Sequence, residues 1–158
     1  MPYVGEFESI ARLALALAAG AVLGWERESK QKPAGLRTHM LVSLGSATFL
    51  LIALRYQDDS AKPSLDALKV VAGIVGGVGF LGGGSIIQAR GAVSGITTAA
   101  TIWVAAALGS AAAMGYYVIV TACLALALFT LLLLGTLERR VFPENNGPDG
   151  PAQNKDDS

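Results

Sequence analysis

The stretch Ile96-Thr-Thr-Ala-Ala-Thr-Ile-Trp-Val-Ala-Ala-Ala-Leu-Gly-Ser-Ala-Ala-Ala-Met-Gly-Tyr-Tyr-Val-Ile-Val-Thr-Ala-Cys-Leu-Ala-Leu-Ala-Leu-Phe-Thr-Leu-Leu-Leu-Leu134 contains no charged residue. A helix that crosses a bilayer needs about 20 mostly apolar residues. This run holds two such helices, Ile96–Met114 and Tyr116–Leu134, separated by Gly115 alone, and so predicts a tight antiparallel hairpin in a membrane. Toward the N-terminus lie three more segments of suitable length and hydropathy. Leu68–Ile87 is preceded by Ser64 and Asp66, residue types that favour a helix N-terminus. Leu36–Leu54 comes before it. Phe7–Gly24 holds one charge, Arg12, near its start, from where a long side chain reaches the interface.

The expectation is an all-α polytopic bundle of about five transmembrane helices over residues 1–142. The tail 143–158 is rich in Pro, Gly, Asn and Asp and reads as disordered. Composition agrees. Of 158 residues, 53% are hydrophobic and 15% charged, and the charges fall in clusters between apolar runs. Mean hydropathy is +0.51. A soluble domain of this size has too little interior to hide so many apolar runs. The formal net charge is zero and no basic, aromatic-interleaved surface is visible, so nucleic acid is not an expected partner. Glu6 and Glu8 stand where a signal peptide carries Lys or Arg, which makes the first apolar run a retained helix. Cys123, the one cysteine, has no partner for an intramolecular disulfide and reads as a buried, inert thiol.

Orientation is read from Lys and Arg in the loops. With the N-terminus outside, the cytoplasmic side receives Arg27, Lys30, Lys32, Arg37, Arg90, Arg139, Arg140 and Lys155, and the outer side Arg12, Arg55, Lys62 and Lys69. Trp25 and Phe142 then mark the inner interface, and Tyr3, Tyr56, Tyr116 and Tyr117 the outer one. The expected location is a bacterial inner membrane, N-terminus out and C-terminus in.

Three features stand out chemically. The third helix carries Gly73, Gly76, Gly77, Gly79, Gly82, Gly83 and Gly84. Gly73/Gly77 and Gly79/Gly83 fit the small-xxx-small spacing that lets membrane helices approach closely. One reading is a packing face, within the bundle or between two copies; the other is an unwound segment at Gly82–Gly84 that offers carbonyls to an ion. The second feature is Gly24-Trp25-Glu26-Arg27-Glu28 with Ala34-Gly35-Leu36-Arg37-Thr38-His39, which gathers two carboxylates, two guanidiniums and the only histidine at one membrane face. It is either an interfacial charge cluster or a functional polar site, because ionisable groups near membrane depth are expensive. Glu26 and Glu28 would be the metal ligands, hard oxygen donors suited to Mg²⁺ or to a proton relay. The third is Arg90-Gly91-Ala92-Val93-Ser94-Gly95-Ile96-Thr97-Thr98-Ala99-Ala100-Thr101, either a turn capped by Ser94 with threonine hydroxyls bonded back to carbonyls, or a polar pocket at the start of the fourth helix, near the acidic cluster. No resident cofactor is expected. No GxSxG elbow, zinc spacing or P-loop is present, and Ser85 with His39 lacks any supporting signature, so the chain does not read as an enzyme.

Gly24-Trp-Glu-Arg-Glu28, Ala34-Gly-Leu-Arg-Thr-His-Met-Leu-Val-Ser-Leu-Gly45, Gly77-Val-Gly-Phe-Leu-Gly-Gly-Gly84 and Gly95-Ile-Thr-Thr-Ala-Ala-Thr-Ile-Trp-Val-Ala-Ala106 together resemble the MgtC/SapB family of bacterial membrane proteins. The likeness runs from about Leu15 to Leu134. It implies an integral inner-membrane protein linked to magnesium homeostasis, and in the best-known members to growth at low magnesium and survival inside macrophages. It also implies a modulator, associated with inhibition of the proton-translocating ATP synthase, in place of a proven transporter. Longer members carry a soluble cytoplasmic domain where this sequence has a short polar tail. The residues that carry over are Glu26, Arg27, Glu28, Arg37, Thr38, His39, Asp66, Gly82, Gly84, Arg90, Thr97 and Thr98. Asp66 falls where the family has an acid before the third helix, either an outer-side site or a cap.

Two functions follow as expectations. The first is a membrane regulator that acts through helix contacts with a membrane partner such as the ATP synthase. The alternative is a dimeric cation transporter or channel, for Mg²⁺ or coupled to protons. Glycine spacing favours a homodimer in either case.

Overall fold

The computed structural model describes residues 5–59, 67–89 and 92–134. Its elements are α1 (Glu6–Ser29), α2 (Leu36–Asp59), α3 (Ala67–Gly84), a two-stranded ribbon of β1 (Ile87–Ala89) and β2 (Ala92–Ser94), α4 (Ile96–Ala113) and α5 (Tyr117–Phe129), followed by a π-helical turn at Thr130–Leu134. The chain divides into two compact units, residues 1–128 and 129–158. Among the described residues, five helical stretches are long and apolar enough to cross a membrane. The protein is an all-α polytopic bundle with one short β-ribbon.

Helices α1, α2 and α4 form the core. More than half of the α4 span, 56%, is buried, against 6% for α3 and 6% for Tyr117–Leu134, so α4 is the central helix. The core is built from small residues, with Ala16, Ala47, Ala105, Ala112 and Ala113 buried, and Leu23, Leu50 and Leu108 fill the gaps. Alanine and glycine let helix backbones approach where lipid supplies no hydrophobic drive to bring them together. A Cβ on Gly109 of α4 would coincide with the Ser43 carbonyl of α2. The Ser43 hydroxyl in turn donates to the Ala16 carbonyl of α1 at 2.7 Å. These contacts tie the three helices at one level. Helix α3 rests on them through a smaller cluster in which Val78 and Ile74 meet Ile102 and Ala106 of α4 and Val42 of α2.

Several boundaries differ from the sequence reading. Helix α1 continues five residues past Gly24, to Ser29, because Glu26 and Arg27 stay on its buried face. Helix α3 ends at Gly84, and Ile87 begins the ribbon, whose register pairs Ile87 with Ser94. Ser94 therefore does not cap α4. Gly95 does, at φ 89°, with no side-chain cap. That left-handed conformation suits glycine, and a Cβ there would strike the Ser85 carbonyl. The glycine segment Gly82–Gly84 is helical to its end.

Gly115 closes α4 as expected, at φ 75°. Its N–H donates to the Ala112 carbonyl at 3.0 Å, and the Tyr116 N–H to the Ala111 carbonyl at 3.0 Å. This is the Schellman pattern, which satisfies the last carbonyls of a helix. The expected packed hairpin does not form, since α5 buries only Val120. Gly115 sets the turn, but α5 leaves most of its apolar side chains exposed. Cys123 is half-buried. Arg12 pairs with Glu8, one turn nearer the N-terminus, and its Nη1 donates to the Ala113 carbonyl at the end of α4, 2.6 Å away.

Candidate functional site

The site lies where α1 ends and where α2 and α4 begin. The buried positions of α1 are Ala16, Ala19, Gly20, Leu23, Gly24, Glu26 and Arg27. Spacings of three and four make one stripe, and the stripe continues past the apolar residues into the charged ones. Arg27 therefore faces inward at 4% exposure, with Glu26 beside it at 6%.

Two glycines bring α2 against this stripe. A Cβ on Gly24 would stand 2.8 Å from Leu36 Cα, and one on Gly20 would stand 2.6 Å from the His39 carbonyl oxygen. The Glu28 carboxylate accepts the Leu36 N–H at 2.9 Å and so caps the start of α2 from the preceding helix. Clamped in this way, the first turn of α2 places His39 in the core, fully buried. His39 Nδ1 lies 2.8 Å from the Gly35 carbonyl. A carbonyl only accepts, so Nδ1 carries a proton there. Arg27 and Glu26 are both close enough to act on the imidazole electrostatically. Helix α4 contributes Thr98 and Thr101, both buried, and the Thr101 hydroxyl donates to the Thr98 carbonyl at 2.9 Å.

The buried carboxylate is paired inside the cluster. Lys30 Nζ is 2.6 Å from Glu26 Oε1, one turn along α1, and Arg27 Nη1 is 3.6 Å from Glu26 Oε2. Lys30 reaches the carboxylate from the rim, with its side chain about one-third exposed at 31%. Pairing is what permits charge in a core of this kind. Both Glu26 carboxylate oxygens, Arg27 Nε and His39 Nε2 are buried without a hydrogen-bond partner among the described residues, so the contacts to Glu26 are ion pairs alone.

Of the residues singled out from sequence, Glu26, Arg27, His39 and Thr98 come together in this cluster. Glu28, Arg37, Thr38 and Thr97 are exposed around it. Asp66 and Arg90 lie outside the described residues, as does the tail 143–158. Glu26 and Glu28 do not converge on a shared ion. One is buried between cations and the other is occupied in capping α2. Among the described residues no group of three or more His, Cys, Asp or Glu is placed to hold a metal ion. Glu26 and Glu28 thus offer no shared donor set for Mg²⁺.

Within the glycine set, Gly82 touches Ala99 of α4 at ordinary contact distance, 3.6 Å. Gly73, Gly77, Gly79, Gly83 and Gly84 meet no other group within 4 Å. The close approaches inside the core belong to Gly20, Gly24 and Gly109, which sequence reasoning did not single out. Lys30 was missed as a site member too. The Glu26–Lys30 spacing of four was the available signal for Lys30.

The sequence pattern of the MgtC family matches residues 13–140. SrpB of Synechococcus elongatus is 42% identical over 137 residues, covering 81% of this chain and 74% of SrpB. YhiD of Escherichia coli K12, whose name proposes a magnesium transporter, is 42% identical over 113 residues, covering 70% of this chain and 53% of YhiD. MgtC of Salmonella typhimurium is 36% identical over 135 residues, covering 85% of this chain and 56% of MgtC. The chain thus spans little more than half the length of the last two. No solved structure matches it.

Proposed function

Since the chain belongs to the MgtC family, we propose that it is a regulator in magnesium and ion homeostasis, acting in the bacterial inner membrane through contacts with a membrane partner such as the proton-translocating ATP synthase. The observation that carries this reading is the internal pairing of the buried charges. Glu26 is engaged by Lys30 and Arg27 at the buried end of α1, so its carboxylate is already neutralised within the helix. A transport site works differently, because its ligands must be released to the ion in turn. The lightly buried helices α3 and α5 supply the surface a partner would meet. The N-terminus is placed outside and the C-terminus inside, following the distribution of Lys and Arg. No catalytic step is assigned.

The test is ATP-driven proton pumping in inverted membrane vesicles that contain or lack this protein. The regulator reading expects pumping to fall when the protein is present, and to recover with a variant whose α3 surface is changed. Pumping that ignores the protein, together with Mg²⁺ uptake that requires it, favours the transporter reading that the name of the Escherichia coli relative suggests.

A further inference from the structure

We infer that the buried end of α1 is a binding site for a small neutral hydrogen-bonding ligand, water, held between Arg27 Nε, His39 Nε2 and the Glu26 carboxylate inside the helix bundle. All three residues are more than nine-tenths buried. Among the described residues, these two nitrogens and both carboxylate oxygens are without a hydrogen-bond partner. Burying a polar atom in that state is costly, and in folded proteins such atoms are nearly always satisfied by protein or by an ordered molecule.

Helix register brings these atoms together. Arg12 of α1 bonds to Ala113 of α4, and Ala16 of α1 and Gly109 of α4 both meet Ser43. A step of one turn along α1 is therefore matched by a step of one turn back along α4, and the two helices are antiparallel. Both rise equally per residue, so Arg27 comes level with Thr98, and Gly24 with Thr101. On α2, Leu36 packs on Gly24 and His39 on Gly20. Helical side chains lean toward their own N-terminus. Arg27 thus leans into the bundle, toward the level of Gly24. His39 leans the opposite way, toward Gly35, to whose carbonyl its Nδ1 is bonded. The two side chains approach one level from opposite sides. Arg27 and Glu26 both act electrostatically on the imidazole, and Arg27 Nη1 is 3.6 Å from Glu26 Oε2.

The polarity of the four atoms selects the ligand. Nδ1 carries the imidazole proton, so Nε2 accepts, as do both oxygens of Glu26, and Arg27 Nε–H alone donates. An anion does not fit, because three of the four atoms present lone pairs. A cation does not fit either. It would meet Arg27 and Lys30, which already flank the carboxylate, and it would leave the Arg27 N–H without an acceptor. What fits is a neutral molecule that accepts from Arg27 Nε and donates to His39 Nε2 and to one oxygen of Glu26. Water does this, and an internal water takes two to four polar partners. Held there, it joins the charged end of α1 to the imidazole of α2 at membrane depth. The inference stands apart from the proposed function, since a regulator and a transporter are equally free to hold water at this place.

The test is water-edited solid-state NMR of the full-length protein in lipid bilayers, with isotope-labelled histidine and leucine. His39 is the only histidine in the chain, so its ring signals identify themselves. Polarisation from water should reach ring Cδ2, which adjoins Nε2, several times faster than it reaches the methyl groups of Leu50, which is equally buried and is identified by its loss in Leu50→Ile. The Nε2 nitrogen resonance should lie upfield of a bare imine nitrogen, where an accepted hydrogen bond puts it. In Glu26→Leu/Arg27→Leu, which removes both charges together with the donor and two acceptors, the fast transfer to His39 should be lost. The wild-type measurements decide the matter by themselves if that variant fails to fold. Transfer to His39 as slow as to Leu50 overturns the inference, as does an Nε2 resonance at the bare imine position or a proton resident on Nε2. A folded double variant that keeps the fast transfer also overturns it, since water would then reach the ring without the proposed partners.

Discussion

The carbonyl oxygen of Ser43 in α2 occupies the place where a side chain on Gly109 of α4 would begin. The contact is backbone against backbone, so neither helix has a flexible group that can give way. The approach of α2 to α4 follows from it, as does the position of the Ser43 hydroxyl on Ala16 of α1. Gly109→Ala should therefore destabilise the bundle by about 1–3 kcal/mol, the usual range for overpacking a tight core. Gly76→Ala, where a Cβ meets nothing within 4 Å, should be neutral or should stabilise by up to about 1 kcal/mol through helix propensity. Unfolding by SDS in mixed micelles ranks the two, and equal effects would refute the packing order described.

Glu26 and Glu28 are two residues apart in sequence and differ in what they hold. Removing the Glu26 charge leaves Arg27 buried without its partner, which typically costs about 3–5 kcal/mol. Glu28→Gln loses part of an exposed cap on α2 and should cost about 1 kcal/mol or less. The double variant Glu26→Gln/Arg27→Gln should be less destabilised than the sum of its single variants, since the charges leave together. Additive effects in that cycle would mean that Glu26 and Arg27 do not act as a pair.

Arg12 secures the other end of the core. Its guanidinium pairs with Glu8 and donates to the Ala113 carbonyl, one of the carbonyls that a helix terminus leaves open. Arg12→Ala should cost about 1–3 kcal/mol. Arg37, exposed at the start of α2, serves as the contrast, and Arg37→Ala should stay within about 0.5 kcal/mol of wild type. The same micelle assay measures both, and an Arg37 effect as large as that of Arg12 would contradict the assignment.

The spans were legible because a charge-free run such as Ile96–Leu134 has few ways to exist outside a bilayer. Burial was harder to read. A glycine in an apolar run has the same sequence signature whether it meets another backbone, as Gly20, Gly24 and Gly109 do, or meets nothing within the chain, as Gly79 and Gly83 do. The difference depends on helix rotation, which long-range packing sets. The polar cluster was legible as a gathering of residue types, with Glu26, Arg27 and His39 named in advance. Its inside and outside were not, because the 3.6-residue period passes through charged residues as readily as apolar ones. That period turns Arg27 into the core and leaves Glu28 free to cap Leu36. The ribbon of Ile87–Ala89 and Ala92–Ser94 has too few residues to show a period of two, and a capped turn was the simpler expectation.

The measurement closest to the central claim is ion flux by purified, folded protein in liposomes, with Mg²⁺, K⁺ and protons followed in turn and Glu26→Gln/Glu28→Gln as the control. A bundle whose buried carboxylate is held by Lys30 and Arg27 should pass none of the three ions above the rate of empty liposomes. Flux of any one of them that disappears in the double variant would contradict the regulator account and make the acidic end of α1 part of a transport path.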